Sequence, residues 1–464
     1  ASIPVSYHIS SGNYSFWVTS IDNAEKYLSF YLTPLDIFPD SCYTTISTQC
    51  VRVLKLMEDF IMNISERQKD FLSVIEKLDI SPTQFKNAQS KYEALAAFLD
   101  EHGIEATIYP QGSFALGTVT RPAKKADSPS YDLDCICQVT GTKSDYTPSG
   151  LRNLIEDTLK GNDTYGGKLV KWEECFTIEY ADINGVSFSI DLVPAVSDSD
   201  SEKAALLTKG LTPQIVDTSI AIPRQNSEKS YRWISNNPKG FKKWFDEINA
   251  PFLMYAPKYA EHGIFEITTA EELPNEVRRS ALQRVIQILK YQRDAYYSKL
   301  SDGDDIKPIS ALITTMASRI ASNYGKKNCS VFELLEYVLN RLEMCIHQTE
   351  MTFEQYALRY DNSPVLSYKN GKWNVPNPAD PDDNLANKWN EDERIPKSFF
   401  KWVTAIKKDL FEVLTQKDDN QFGVVLENSF ANYDPNNPII KKYRKARIAT
   451  PINASTASKP YHCS

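Results

Sequence analysis

At 464 residues the chain exceeds what one hydrophobic core ordinarily serves, so two domains are expected. It is 42% hydrophobic and 24% charged, an ordinary globular composition, and its net charge of -8 argues against a surface built to wrap nucleic acid. Net charge does not exclude a local basic pocket for a small polyphosphate. The eight cysteines form no CxxC pair and the five histidines are scattered, so neither a zinc site nor a disulfide framework is expected. No run approaches the roughly 18 apolar residues of a membrane span, and the first residues show no basic-then-apolar leader, so a reducing cytoplasm is the expected setting.

Residues 1 to about 50 are rich in Ser, Thr and Tyr with little periodicity, and 1–62 reads as an N-terminal extension of uncertain order, with an amphipathic turn or two over 51–62. Ser65–Gln68 is a capping box leading a short helix, and Ser81–Gln84 is a second one with proline at the first helical position. The helix that follows sets Phe85, Ala88, Tyr92, Leu95 and Leu99 on one face and ends at Gly103. A strand over 105–109 comes next, then the Gly112-Ser113 turn. Alternation predicts a strand over 131–139, with Cys135 and Cys137 on one buried face. Asn184-Gly185 is the preferred pair for a type I′ hairpin turn, flanked by apolar alternation. Residues 197–250 read as loops and short elements. Beyond about 270 the pattern is helical: Val277, Ala281, Val285 and Leu289 form a stripe, Pro308 opens another helix, and Ser330–Glu333 caps a third. A small hairpin is expected at Asn370-Gly371, a last amphipathic helix over 398–414, and a polar, mobile tail from 431 that includes the basic run KKYRKAR. The expected organisation is α+β: a catalytic lobe over 63–270, a helical lobe over 271–430, and an active-site cleft between them.

The chemistry concentrates in Tyr109–Val139 and Phe188–Pro194. Asp132 and Asp134 are two apart on a strand, so both side chains leave the same face. Asp191 alternates with Phe188, Ile190 and Leu192, which puts it on the polar face of a strand able to pair beside the first. An isolated Asp-x-Asp is a weak sign, and a Gly-Ser turn is weaker. The ordered combination is stronger, because Ile136, Val139, Ile190, Leu192 and Val193 mark both strands as largely buried. Three buried carboxylates are costly without a cation. Such a set suits nucleotidyl transfer, in which two Mg²⁺ ions about 3.5–4 Å apart serve the attacking and leaving oxygens. Gly112 lets backbone approach phosphate, and Ser113 offers a hydroxyl and an N–H. Weaker candidates have plainer readings. Arg121, Lys124 and Lys125 read first as a charged surface loop, Tyr231 and Trp233 as core aromatics, KKYRKAR as a solvated run, and Asp380 to Glu391 as a loop whose Leu385 stands where a calcium-binding loop needs glycine.

GSFALGT, YDLDC and SIDLVP resemble the nucleotidyltransferase motifs of the DNA polymerase beta-like superfamily. The longer string YPQGSFALGTVTRP…YDLDCICQV is similar to the bacterial cyclic oligonucleotide synthases, the CD-NTase family, which are relatives of cyclic GMP-AMP synthase and oligoadenylate synthase. The resemblance covers roughly 63–420 and extends to ALQRVIQILKYQRD and KPISALITTMASR, which resemble that family's helical lobe. It implies a polymerase beta-like lobe with a mixed sheet, and an enzyme that joins nucleoside triphosphates, ATP and/or GTP, into a cyclic di- or trinucleotide messenger used in anti-phage defence. It further implies two Mg²⁺ ions, with Mn²⁺ as a substitute, on Asp132, Asp134 and Asp191. Gln111, Gly112 and Ser113 would meet the triphosphate, and Lys290 and Ser310 would face the donor nucleotide. A monomer is expected, open to regulatory partner proteins, with no membrane and no obligatory nucleic acid. Two other activities fit the same residues: transfer of one nucleotide to RNA or to a protein, and a catalytically silent nucleotide sensor.

Overall fold

The computed structural model describes residues 5–11, 14–20, 66–121, 130–183, 185–254, 279–345, 365–412, 419–429 and 438–448. The expected turns over 51–62, together with Ser65, Lys124, Lys125, Asn184, Val277, and the tail beyond 448, lie outside them. The chain forms two units, Ala1–Ile61 and Met62–Ser464. In the first, β1 (Val5–Ser11) and β2 (Tyr14–Ser20) make an antiparallel hairpin with Val5 opposite Ser20, within the segment whose order the sequence left open.

The second unit is built on a seven-stranded mixed sheet. Its strands are β3 (Ala106–Pro110), β4 (Ser130–Thr142), β5 (Leu169–Lys171), β6 (Phe176–Ile183), β7 (Val186–Ser197), β8 (Ile220–Gln225) and β9 (Tyr231–Asn236), in the order β3-β4-β7-β6-β5, with β8 joining β7 to β9. The central pair, β4 and β7, is parallel, and the remaining pairings are antiparallel. Alternation divides the two faces as expected. Leu133, Cys135, Cys137 and Val139 join Phe188, Ile190 and Leu192 in one core cluster beneath α2 (Pro82–Glu101) and α4 (Pro148–Lys160); α2 follows the first helix, α1 (66–75). Both capping groups of the Ser81–Gln84 box are made, at 2.8 and 3.2 Å. On the opposite face Ile136, Val193 and Ala195 pack with Tyr109, Ile220 and Ile222. The ends of β4 and β7 that carry aspartate lie on that second face, beyond the apolar patch.

Residues 197–250 are far more regular than expected. They contain the helices Asp200–Thr208 and Pro213–Val216, strands β8 and β9, and the 16-residue helix α5 (Pro238–Leu253), capped by Asn237 with Pro238 at its first turn. On β8 the first four residues, Ile220 to Pro223, are all buried, so no apolar–polar alternation marks it as a strand. Tyr231 and Trp233 accordingly sit on β9, the first under the Arg152 guanidinium at 5.2 Å and the second against the main sheet core.

The helical part centres on α6 (Ala281–Tyr297), buried on nearly all sides. It begins at the Ser280–Gln283 capping box, four residues later than the apolar stripe suggested. Around it lie α7 (Ser310–Ser322), α8 (Val331–Met344) and α9 (Arg394–Lys407), which share one core cluster with it. The Asn370-Gly371 hairpin forms as expected, both turn residues at positive φ, 52° and 75°. Trp402 is fully buried in this cluster and donates its indole N–H to Gln292 of α6. Trp402→Ala is therefore expected to cost about 3–5 kcal/mol of stability, read by denaturant unfolding.

The expected mobile tail holds a helix, α11 (Pro438–Ile448), after α10 (Asp419–Ser429). Ile440 and Tyr443 are 1% and 4% exposed, and Tyr443 packs on Phe422 at 4.8 Å. Lys442 pairs with Glu66 and Asp70, both at 2.8 Å. The apolar residues that dock this helix are interspersed among lysines and arginines, so its polar composition concealed an amphipathic face.

Candidate active site

β4 and β7 run in a register that sets Asp134 opposite Asp191, with Asp132 two residues along the same face. One carboxylate oxygen from each of Asp132, Asp134 and Asp191 lies within 4.8 Å of the others. The convergence expected from alternation is present, although Asp132 is exposed and only Asp134 and Asp191 are half-buried. Asp134 is pushed up to about 7, chiefly by burial and then by the charges of Asp132 and Asp191, against the opposing pull of Lys290. Asp191 is raised for the same first reason, with a hydrogen bond from Thr177 working against it. These are like charges short of a counter-charge, and all the donor atoms are oxygens. The set fits a hard divalent cation, which would relieve the mutual repulsion.

The glycine turn is fastened to the same strand. Gln111 N–H donates to the Asp134 carbonyl at 2.8 Å. Gln111 is the extended residue before the single helical turn α3 (Gly112–Ala115), and its side chain makes no cap bond there. Gly112 has φ 61°, and a Cβ at this position would stand 2.6 Å from Asp134 Oδ2. The glycine is thus required twice, by its backbone angle and by the carboxylate beside it. The first turn of a helix leaves its leading N–H groups without partners inside the helix, and these are ready for phosphate oxygens. The Ser113 carbonyl accepts from Thr118 N–H at 2.9 Å, which folds the GSFALGT run back on itself.

One face of α6 holds that run in place. Gln283 Nε2 donates to the Leu116 carbonyl at 3.0 Å, Gln287 Nε2 to Val119 at 2.8 Å, and Lys290 Nζ to Thr118 at 3.2 Å. The spacing i, i+4, i+7 brings the three into one stripe. Gln287 also donates to Asp79 at 2.8 Å. Lys290 is 7% exposed, and burial, aided by Arg293, lowers its ammonium to about 8 while Asp294, Asp132 and Asp134 pull the other way. Lys290 is therefore brought to the turn. Ser310 is placed differently. It follows the cap residue Ile309 and accepts from Arg293 Nη1 at 3.0 Å, a guanidinium nitrogen that also holds the Pro308 carbonyl at 3.0 Å. It ties α7 to α6.

Sequence reasoning missed Thr177, Gln283 and Gln287. The two glutamines could have been found as a polar stripe at helical spacing within an otherwise apolar helix. Thr177 stands opposite Asp191 on β6 and donates to its Oδ1 at 2.5 Å. Thr177→Val is expected to lower kcat about 10-fold, the usual loss when a ligand's supporting partner goes, with the fold intact by circular dichroism.

Residues 62–249 match the family model of the Second Messenger Oligonucleotide or Dinucleotide Synthetase domain. A c-di-GMP synthase of Roseivirga ehrenbergii is 22% identical over 381 residues, which span 80% of this chain and 86% of that protein. Among solved structures, the CD-NTase CdnG of Bradyrhizobium diazoefficiens in complex with GTP is similar with a TM-score of 0.52 at 19% identity, covering 81% of this chain and 97% of that one. CdnC of E. coli MS115-1 with ATP gives a TM-score of 0.50 at 12% identity, covering 80% and 98%. The expected α+β, polymerase beta-like architecture and the resemblance drawn from GSFALGT, YDLDC and SIDLVP are both borne out. Residues 62–249 match the Second Messenger Oligonucleotide or Dinucleotide Synthetase domain, and the chain that carries them shares the fold of the bacterial CD-NTases.

Proposed function

We propose that the chain is a Mg²⁺-dependent nucleotidyltransferase that joins nucleoside triphosphates into a cyclic di- or trinucleotide. The observation that carries this reading is the convergence of three carboxylates directly beside a glycine turn, on one face of a parallel strand pair. The c-di-GMP synthase relative and the neighbours solved with GTP and ATP favour purine triphosphates as substrates. Among the described residues no helix is long and apolar enough to cross a membrane.

Asp132, Asp134 and Asp191 would hold divalent cations, which when bound supply positive charge to the triphosphate and acidify the attacking hydroxyl. The N–H groups of the turn at Gly112 and Ser113 receive the phosphates, with Gln111 at its entry. Lys290, whose ammonium lies against Thr118 just beyond the turn, adds positive charge on the same side. Asp191, oriented by Thr177, takes the hydroxyl proton. The hydroxyl oxygen then bonds to the α-phosphorus, the bond from that phosphorus to the β-phosphate bridging oxygen breaks, and pyrophosphate leaves. A second transfer within the linear product closes the ring. A cyclic messenger of this kind fits a cytoplasmic role in anti-phage defence, as the family resemblance implies.

The test is mass spectrometry of a phosphatase-treated reaction containing the four nucleoside triphosphates and Mg²⁺. A phosphatase-resistant cyclic product is expected. A nucleotide adduct on RNA or on protein instead would identify the macromolecular-acceptor activity. Triphosphate binding without pyrophosphate release would identify a silent sensor.

A further inference from the structure

Trp172 stands at one end of a row of side chains that crosses the aspartate face of the sheet. Asp134 on β4 lies opposite Asp191 on β7, and Asp191 lies opposite Thr177 on β6. Trp172, in the connection from β5 to β6, donates Nε1 to Thr177 Oγ1 at 2.9 Å, and that hydroxyl donates onward to Asp191 at 2.5 Å. The glycine turn occupies the other end of the row, on the β3 side, bonded to Asp134. The phosphate turn and Trp172 therefore flank the carboxylates from opposite sides.

The indole is 59% exposed, yet its loop is firmly anchored. Arg152, 1% exposed, donates to the carbonyls of Trp172, Glu173 and Cys175, and its guanidinium lies over the Phe176 ring at 4.4 Å. Trp172 N–H closes the turn on the Cys175 carbonyl at 3.0 Å. A buried arginine thus fixes the backbone under a large aromatic ring that is left in water with its one polar edge already bonded. A preorganised ring of that kind presents a π-face at little entropic cost.

We propose that Trp172 is the stacking platform for the base of the acceptor nucleotide, the one whose hydroxyl attacks. This rests on the nucleotidyl-transfer reading of the site. The donor triphosphate belongs to the glycine-turn side and the attacking hydroxyl belongs to Asp191, so the acceptor's sugar and base extend away from the donor, toward β6 and Trp172. Stacking accepts any base because every base has a π-face, so Trp172 supplies affinity for a purine acceptor and leaves the choice between purines to other contacts.

The test compares Trp172→Ala with Trp172→Phe by pyrophosphate release against nucleoside triphosphate concentration. Alanine is expected to lower kcat/KM about 10- to 100-fold, mainly through KM, and phenylalanine, which keeps a ring but not Nε1, to stay within about threefold of wild type. Wild-type kinetics in the alanine variant would overturn the proposal. Equal losses in both variants would also overturn it, because they would assign the effect to the Nε1–Thr177–Asp191 contact. A second readout does not depend on turnover. The emission of wild type minus that of Trp172→Phe isolates this indole, and it is expected to be quenched by the α,β-methylene analogue of GTP or ATP with Mg²⁺. If wild type released no pyrophosphate, the proposed function would fail on its own, and the fluorescence would still decide the platform: quenching supports it and the absence of quenching removes it.

Discussion

Asp134→Asn is expected to depress pyrophosphate release roughly 10³-fold, beyond the roughly 10- to 100-fold typical of a residue that only supports a ligand, and at the same time to stabilise the metal-free protein. The two effects have one cause. The carboxyl of Asp134 is pushed from 3.8 to about 7 by burial and by its two acidic neighbours. Between those values the folded protein binds a proton that the unfolded chain has released, so without cation this group makes stability fall as pH rises from about 4 to about 7, after which its penalty is constant. Asparagine removes the penalty. Above pH 7 the gain is on the order of 2 kcal/mol, less than the full shift would give at about 1.4 kcal/mol per unit, because Asp134 is half-buried and solvent screens it. Near pH 4 the gain vanishes. Melting in EDTA across this range checks the sign, and adding Mg²⁺ should raise the melting temperature of wild type far more than that of the variant. A variant that melts lower than wild type in EDTA at pH 8 would mean that the three carboxylates do not repel one another as the geometry indicates.

How much of this was legible in the sequence follows from which interactions are local. Strand alternation was enough to put Asp132 and Asp134 on one face and Asp191 on the polar face of its own strand, because side-chain direction has a fixed period of two. Thr177 was not legible, for a specific reason. A two-residue turn continued in register from Ile183 opposite Val186 would set Ile178 opposite Asp191. A register shift between Tyr180 and Ile183 moves the pairing by one and brings Thr177 there instead. Lys290 was visible as a position but not in its contact, since its partner is a backbone carbonyl 172 residues away. Ser310 was legible only as part of a helix start, and its hydrogen bond ties two helices together. The helix over 438–448 was hidden by composition, because its docking residues lie among lysines and arginines, and the partners of Lys442, Glu66 and Asp70, are at the far end of the unit.

Gly112→Ala is the most economical test of whether the glycine turn and the carboxylates work as one site. At φ 61° an added Cβ is strained wherever it points, and here it points 2.6 Å from Asp134 Oδ2 and 3.4 Å from Asp134 Cγ. Either the turn retreats and its N–H groups leave the phosphate position, or the carboxylate swings away from Asp132 and Asp191. Both outcomes displace a reacting group by something near 1 Å, so activity is expected to fall about 100-fold or more. The backbone strain itself should cost only about 1–2 kcal/mol of stability. Gly185→Ala separates the two effects. Gly185 also has positive φ, 74°, but a Cβ there meets nothing within 4 Å and lies in the hairpin turn away from the carboxylates. It should lose a similar amount of stability and keep nearly all activity. If both alanine variants lost activity equally, Gly112 would be a folding glycine only. If only Gly112→Ala did, the turn's close approach to Asp134 is what the reaction needs, and the GSFALGT and YDLDC motifs are two halves of one phosphate-and-metal site.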